Sequence, residues 1–108
     1  MSEWATLDKD HNVIPIAPGE EMEEFLSRGD RIVGKANVGE FRVSTVFLGL
    51  NHASSDSVPA QWFETMIFPK DNYHDLECWR YATWDEAVRG HAHAIEVAEQ
   101  MAKGDYNG

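Results

Sequence analysis

Alternation of apolar and polar residues marks the middle of the chain as β-structure. From Phe41 to Leu48 the side chains alternate with a period of two, which is typical of a strand with one face in a core. Residues 46–50 are apolar on both faces, and this predicts a central strand that is covered on each side. Before it, residues 31–33 predict a short strand and residues 37–39 a turn.

Three further segments predict strands. Apolar residues 4–7 and 13–16 flank the turn-forming residues 8–12, and this pattern predicts an N-terminal hairpin with Pro15 on an edge strand. Residues 61–68 alternate again, and the short link from the central strand predicts antiparallel pairing with it. Residues 76–81 predict one more short strand.

Two segments have a helical period. Residues 20–28 place Met22, Phe25 and Leu26 opposite four glutamates, which predicts a short acidic helix. The second helix is predicted from Trp84 to about Lys103, because Thr83 and Glu86 form a capping box and Gly104 follows. Its predicted apolar stripe is Trp84, Ala87, Val88, His91, Ile95, Ala98 and Met101.

These elements predict an α+β fold in one domain over residues 1–108. We expect a mostly antiparallel sheet of four to six strands, with the long C-terminal helix on one face and the short acidic helix over an edge or the other face. The units along the chain are a hairpin (4–16), a short helix (20–28), a sheet (31–81) and a helix (84–103).

Charge narrows the classes of partner. The chain of 108 residues has 19 acidic and 9 basic residues, a net charge of −10. Such a protein repels nucleic acid and anionic membrane surfaces, so neither is expected as a partner. Net charge is −6 over residues 1–30, +1 over 31–70 and −5 over 71–108. The single cysteine, Cys78, excludes an internal disulfide and a multi-cysteine zinc site, and a cytoplasmic protein is expected.

Two histidines and a glutamate are the candidate polar site. His91 lies in the apolar stripe, His52 follows the central strand, and Glu64 lies within the next strand. If all three converge, they supply the donor types of a catalytic zinc site. Their spacing matches no metal motif, however, and His93 points to another helix face than His91. We therefore expect no metal or cofactor, and a buried His91 that is hydrogen-bonded to a neighbouring group.

The remaining polar and aromatic side chains have structural interpretations. Glu64 is expected to pair with Arg42 on the adjacent strand. Cys78 is expected to be a small buried hydrophobe, because neighbouring Glu77 opposes a reactive thiolate. Trp79 and Tyr81 are candidates for an exposed pair at a protein interface, and the alternative is that they cap the core.

Residues 42–52, 62–68 and 80–91 resemble a family of small proteins of tailed bacteriophages and prophages, and the resemblance covers about residues 4 to 95. The family typically has Asp-His where this chain has Asn51-His52, and a glycine-rich loop where this chain has residues 69–72. The resemblance implies a phage origin and carries no information on activity, because the family is largely uncharacterised. Positions matching a family site are Asn51, His52, Glu64, Thr65 and His91.

Together these features favour a non-enzymatic accessory protein that acts in the cytoplasm of an infected or lysogenic bacterium. It is expected to bind a host protein with a basic surface, as an inhibitor of a nucleic-acid-handling defence similar to an anti-CRISPR protein. The expected contacts are Glu20, Glu21, Glu23, Glu24, Asp85, Glu86, Glu96, Glu99, Trp79 and Tyr81.

Two alternatives stay open. One is a small-molecule or metal-binding protein that uses His52, Glu64 and His91, either to sequester a nucleotide signal or as a metal-assisted hydrolase. The other is a virion or assembly component that forms homo-oligomers through a neutral sheet edge.

Overall fold

The computed structural model describes residues 4–16, 31–49, 60–71 and 76–104. These ranges contain the strands β1 (Trp4–Leu7), β2 (Val13–Ile16), β3 (Ile32–Val38), β4 (Phe41–Phe47), β5 (Phe63–Pro69) and β6 (Glu77–Tyr81), and the helix α1 (Trp84–Lys103). The expected α+β class is confirmed. The helix predicted over residues 20–28, and the candidates Asn51 and His52, lie outside the described residues.

Four strands form one antiparallel sheet in the order β3-β4-β5-β6, and β1 pairs with β2 in a separate hairpin. The predicted pairing of β4 with β5 is confirmed, and Thr45 stands opposite Thr65 in its register. The predicted turn at residues 37–39 is placed too early. β3 continues to Val38, and the turn is at Gly39 and Glu40, where Gly39 has a φ of 58° that suits a tight hairpin.

The N-terminal hairpin is closed by its own side chains and docks on the rest of the fold. The carboxylate of Asp8 accepts the backbone N–H groups of Asn12 and Asp10, and these hydrogen bonds, the one from Asn12 above all, lower the pKa of Asp8. The Ala5 N–H donates to the carbonyl of Gly49 at 3.0 Å. The hydrogen bonds of Asp8 therefore close the hairpin, and the Ala5–Gly49 hydrogen bond joins the hairpin to the segment that follows β4.

Helix α1 begins and ends where the sequence predicts. The Thr83 hydroxyl accepts the N–H of Glu86 at 3.1 Å, and Gly104 ends the helix with a φ of 79°. Its inner face differs by part of a turn from the predicted stripe, because Val88 is 47% exposed. The buried helix residues are Ala87, Ala94, Val97 and Ala98. Small alanine side chains let the helix backbone lie close to the sheet.

The core between the sheet and α1 has two apolar clusters. One contains Phe47, Phe63 and Ala87 near the start of the helix, and the N-terminal hairpin packs against it. The other contains Val43, Ile67, Ala94, Val97 and Ala98 near the end of the helix. Within the described residues, no helix is both long and apolar enough to cross a membrane.

Candidate functional site

A layer of polar side chains lies between the sheet and α1, at the level where the two apolar clusters meet. The Thr45 Oγ1 is 2.6 Å from the Thr65 Oγ1 and 2.6 Å from the His91 Nδ1. The Tyr81 hydroxyl is hydrogen-bonded to Thr65 and extends the layer across a third strand. We call Thr45, Thr65, Tyr81 and His91 the polar layer.

Register explains why these four side chains meet. Thr45 lies between Val43 and Phe47 on β4, and it pairs with Thr65 on β5. Thr45 and Thr65 therefore lie on the helix-facing side of the sheet, which is apolar on both sides of them along the strands. Both threonines have no exposed surface, so their mutual hydrogen bond compensates for the water that they lose on folding.

Two glycines leave the room that the rings of this layer need. The imidazole of His91 lies on Gly34 of β3, where an added Cβ would stand 2.7 Å from Nε2. The hydroxyl of Tyr81 lies on Gly90 of α1, where an added Cβ would overlap it. Each ring thus contacts the backbone of the opposite layer, and this fixes the position of α1 along the sheet.

The chemical state of the layer follows from its burial. Burial lowers the pKa of His91 and raises the pKa of the Tyr81 phenol, so both groups are held in their neutral forms at pH 7. In the tautomer whose Nδ1 accepts, Thr45 donates to His91 and Thr65 donates to Thr45. His91 was expected to be buried and hydrogen-bonded. The hydrogen bond to Thr45 is present, but His91 is only partly buried, although it is less exposed than His93.

Glu64 is separated from His91 by the sheet itself. Its neighbour in β5, Thr65, faces the helix, so Glu64 points to the opposite face. The sequence left open whether His52, Glu64 and His91 converge. The structure keeps Glu64 and His91 on opposite faces of the sheet, and His52 lies outside the described residues. Nor do three histidine, cysteine or carboxylate side chains meet as a metal site anywhere in the described ranges.

The partner of Glu64 is also corrected. Its Oε2 accepts the Nε–H of Arg80 at 3.0 Å, and the expected pair with Arg42 is not the one formed, because Arg80 stands directly opposite Glu64 in the β5–β6 register. The guanidinium of Arg42 instead lies 4.5 Å from the ring centre of Phe68. Cys78, expected to be buried, is exposed, and its Sγ donates to Glu64 at 3.6 Å.

The aromatic candidates lie against the helix. Trp79 is half-buried and meets the ring of His93 edge-on, with 5.6 Å between centroids. Tyr81 is half-buried in the polar layer. The two rings thus pack under α1 in the way that core-capping residues do, and each presents only part of its surface to solvent.

The charged candidates of α1 all lie on its outer face. Asp85, Glu86, Glu96 and Glu99 are exposed. Arg89 and Lys103 follow Asp85 and Glu99 by four residues, a spacing that pairs opposite charges along a helix. Glu20, Glu21, Glu23 and Glu24 lie outside the described residues, and so does most of the net charge: the described ranges hold ten acids and eight bases.

Two open clefts lie on the surface of the described residues. A cleft of about 350 Å³ lies between the turn of the N-terminal hairpin and the start of α1, where the ring of His11 stacks on Trp84 at 3.7 Å. A groove of about 490 Å³ lies on the sheet and is lined by Lys35, Arg42 and their neighbours. Neither was predicted, since each is formed by residues that are distant in the sequence or alternate along strands.

The sequence indicated part of the polar layer and missed the rest. His91 and Thr65 were candidates, whereas Thr45 was assigned to the alternating pattern only. The pattern that could have identified Thr45 is its position. It lies as far before the end of β4 as Thr65 lies after the start of β5, so antiparallel pairing brings the two threonines together. The chain matches no protein-family model, no curated protein and no solved structure. The resemblance to phage proteins stays a prediction.

Proposed function

We propose that this chain is a binding protein that docks the outer face of α1 on a basic surface of a protein partner. The observation that supports this most is the exposure of all four carboxylates of α1 on a helix whose inner face is occupied by the sheet. Opposite charges on two proteins steer them together and select the partner. The net charge of −10 adds a long-range attraction to the local one.

The outer face carries its acids in two pairs, which favours a partner with two separated basic patches. Asp85 and Glu86 lie in the first turn, and Glu96 and Glu99 lie near the end. The rise of ten residues from Glu86 to Glu96 corresponds to about 15 Å along the helix. The contacts of the polar layer hold α1 on the sheet, so this spacing is already present before binding.

The resemblance to phage proteins makes a host protein the proposed partner. A protein that handles nucleic acid has a basic groove for phosphates, and a rigid row of carboxylates can occupy such a groove. Inhibition would follow from exclusion of the nucleic acid. Each exposed charge pair contributes only about 0.2–1 kcal/mol, so the expected advantage lies in association rate and selectivity.

The test compares two pairs of acids of equal charge. A bacterial lysate is passed over the immobilised chain, the captured protein is identified and purified, and its association rate is measured. The variant Glu96→Gln/Glu99→Gln changes the helix, and Asp10→Asn/Glu40→Gln makes the same change of charge in the two hairpin turns as the control. We expect the helix variant to associate several-fold more slowly at low salt. The difference should vanish at high salt, as the Debye length falls from ~10 Å at 0.1 M to ~3 Å at 1 M.

Equal slowing by both variants would mean that only net charge matters, and it would contradict a role for the face of α1. An unchanged rate in both would contradict the electrostatic proposal altogether. A third variant, with Glu20, Glu21, Glu23 and Glu24 changed to Gln, tests whether the acidic segment before β3 contributes to the same binding.

A further inference from the structure

The polar layer is a continuous chain of hydrogen bonds from β6 to α1. The Tyr81 hydroxyl is hydrogen-bonded to Thr65. The Oγ1 of Thr45 lies 2.6 Å from the Oγ1 of Thr65 and 2.6 Å from the Nδ1 of His91. Side chains of three neighbouring strands are thus joined to one side chain of the helix. Both threonines have no exposed surface, so their hydroxyls depend on partners within the protein.

The number of hydrogens gives this chain a direction. Each threonine hydroxyl has one hydrogen and two neighbours in the chain, so it donates to one neighbour and accepts from the other. If the Nδ1 of His91 accepts, Thr45 donates to it and Thr65 donates to Thr45. Tyr81 then donates to Thr65. If Nδ1 carries a proton, every hydrogen bond of the chain points the other way.

The two directions differ in where a hydroxyl hydrogen is left without a partner. When Nδ1 accepts, all the hydroxyl hydrogens are used within the chain. When Nδ1 donates, the hydrogen of Tyr81 is left over, on a half-buried residue. If the reversal stopped at Thr45 or Thr65, the unpaired hydrogen would be fully buried, which costs about 1–3 kcal/mol. Reversal therefore runs to the end of the chain, and the neutral protein favours the direction that ends on His91.

The surroundings of His91 contain few other ionisable groups. Burial is the cause that lowers the pKa of His91. Among the described strand residues on the helix-facing side, β3 and β4 have no charged side chain, and β6 has Tyr81 and, at its other end, Glu77. On α1 itself, Arg89 and His93 are exposed. The protonation of His91 is therefore governed by its position under the helix rather than by an ion pair.

We propose that the polar layer is a pH-sensitive relay, in which protonation of His91 reverses the chain and turns the hydroxyl hydrogen of Tyr81 away from Thr65. The Tyr81 hydroxyl lies on Gly90, so the change takes place where β6 contacts α1. A change of proton state on the helix is thereby transmitted across the sheet to β6. The relay does not depend on the proposed docking, because it lies on the inner face of α1 and the docking uses the outer face.

The experiment follows both ends of the chain by NMR while the full protein is titrated downward from about pH 8 until His91 is protonated. The ring ¹⁵N resonances of His91 report its protonation, and the ¹³Cζ resonance of Tyr81 reports whether its hydroxyl donates or accepts. At neutral pH we expect the proton of His91 on Nε2. As His91 takes up its second proton, we expect the Tyr81 resonance to shift with the same midpoint.

Substitutions within the chain separate the relay from a direct effect of charge. Thr45→Val removes the link next to His91, so His91 should still titrate while the shift of Tyr81 is lost. Thr65→Ser retains every hydroxyl and should keep the shift. Thr6→Val, outside the polar layer, is the control and should behave as the wild type does.

The proposal is overturned if Thr45→Val keeps the Tyr81 shift at its wild-type size, because the charge of His91 then acts on Tyr81 through space. It is also overturned if neutral His91 carries its proton on Nδ1, or if Tyr81 does not respond in the wild type, and neither result requires a variant. If Thr45→Val does not fold, Thr65→Val breaks the next link and is compared with Thr65→Ser.

Discussion

Replacing Thr45 by Val tests whether the polar layer stabilises the packing of α1 on the sheet. The substitution keeps the shape of the side chain and removes only its hydroxyl. Two hydrogen bonds of 2.6 Å are then lost, one to Thr65 and one to His91. Both partners stay in place. His91 then leaves water without this hydrogen bond when the protein folds, and Thr65 keeps only its hydrogen bond to Tyr81.

The expected cost follows from the burial of these partners. An unsatisfied buried polar group costs about 1–3 kcal/mol. Thr65 has no exposed surface but keeps Tyr81 as a partner, and His91 is partly exposed, so each contributes about 1–1.5 kcal/mol. The β-propensity of Val offsets up to about 1 kcal/mol. We expect a net loss of about 2 kcal/mol in the free energy of unfolding and a fall in Tm on the order of 10 °C.

Chemical denaturation of the wild type, Thr45→Val, Thr65→Val and the double variant measures this cost. Removal of both hydroxyls should cost less than the sum of the single changes, with a coupling of at least about 0.5 kcal/mol. Thr6→Val, a threonine of β1 outside the polar layer, is the control and should stay within about 0.5 kcal/mol of the wild type. A Thr45→Val variant as stable as this control, with an unchanged denaturant slope, would refute the reasoning.

Two further predictions concern the same contact region. Helix propensity alone predicts that Gly90→Ala stabilises the protein by about 1 kcal/mol. Because a Cβ there would overlap the hydroxyl of Tyr81, we expect a lower Tm instead, and a higher Tm would show that Tyr81 moves freely. Burial lowers the pKa of His91 below its ordinary 6.5, so the unfolded chain takes up a proton before the folded one as pH falls. Denaturation at several pH values should show stability declining from pH 6.5 downward, and less steeply in His91→Gln, whereas an equal decline would contradict this role.

Local signals in the sequence were enough for the elements and the fold class. The capping box at Thr83 and Glu86 and the glycine at 104 define the ends of α1 through contacts within a few residues. The turn at Asp8 likewise closes the hairpin with hydrogen bonds to Asn12. Alternation in β4 and β5 predicted which side chains share a face, and this follows from strand geometry alone.

Tertiary structure decided which of the chemistry-bearing residues meet. The register of β5 with its two neighbours, β4 and β6, placed Arg80 rather than Arg42 opposite Glu64. Because α1 packs on the Thr65 face of β5, Glu64 lies on the sheet face away from His91, and this separates two residues that the sequence grouped only by residue type. Register also brought Lys35 beside Arg42. A hydrophobic pattern specifies faces, but the neighbours across strands depend on pairings between residues that are far apart in the chain.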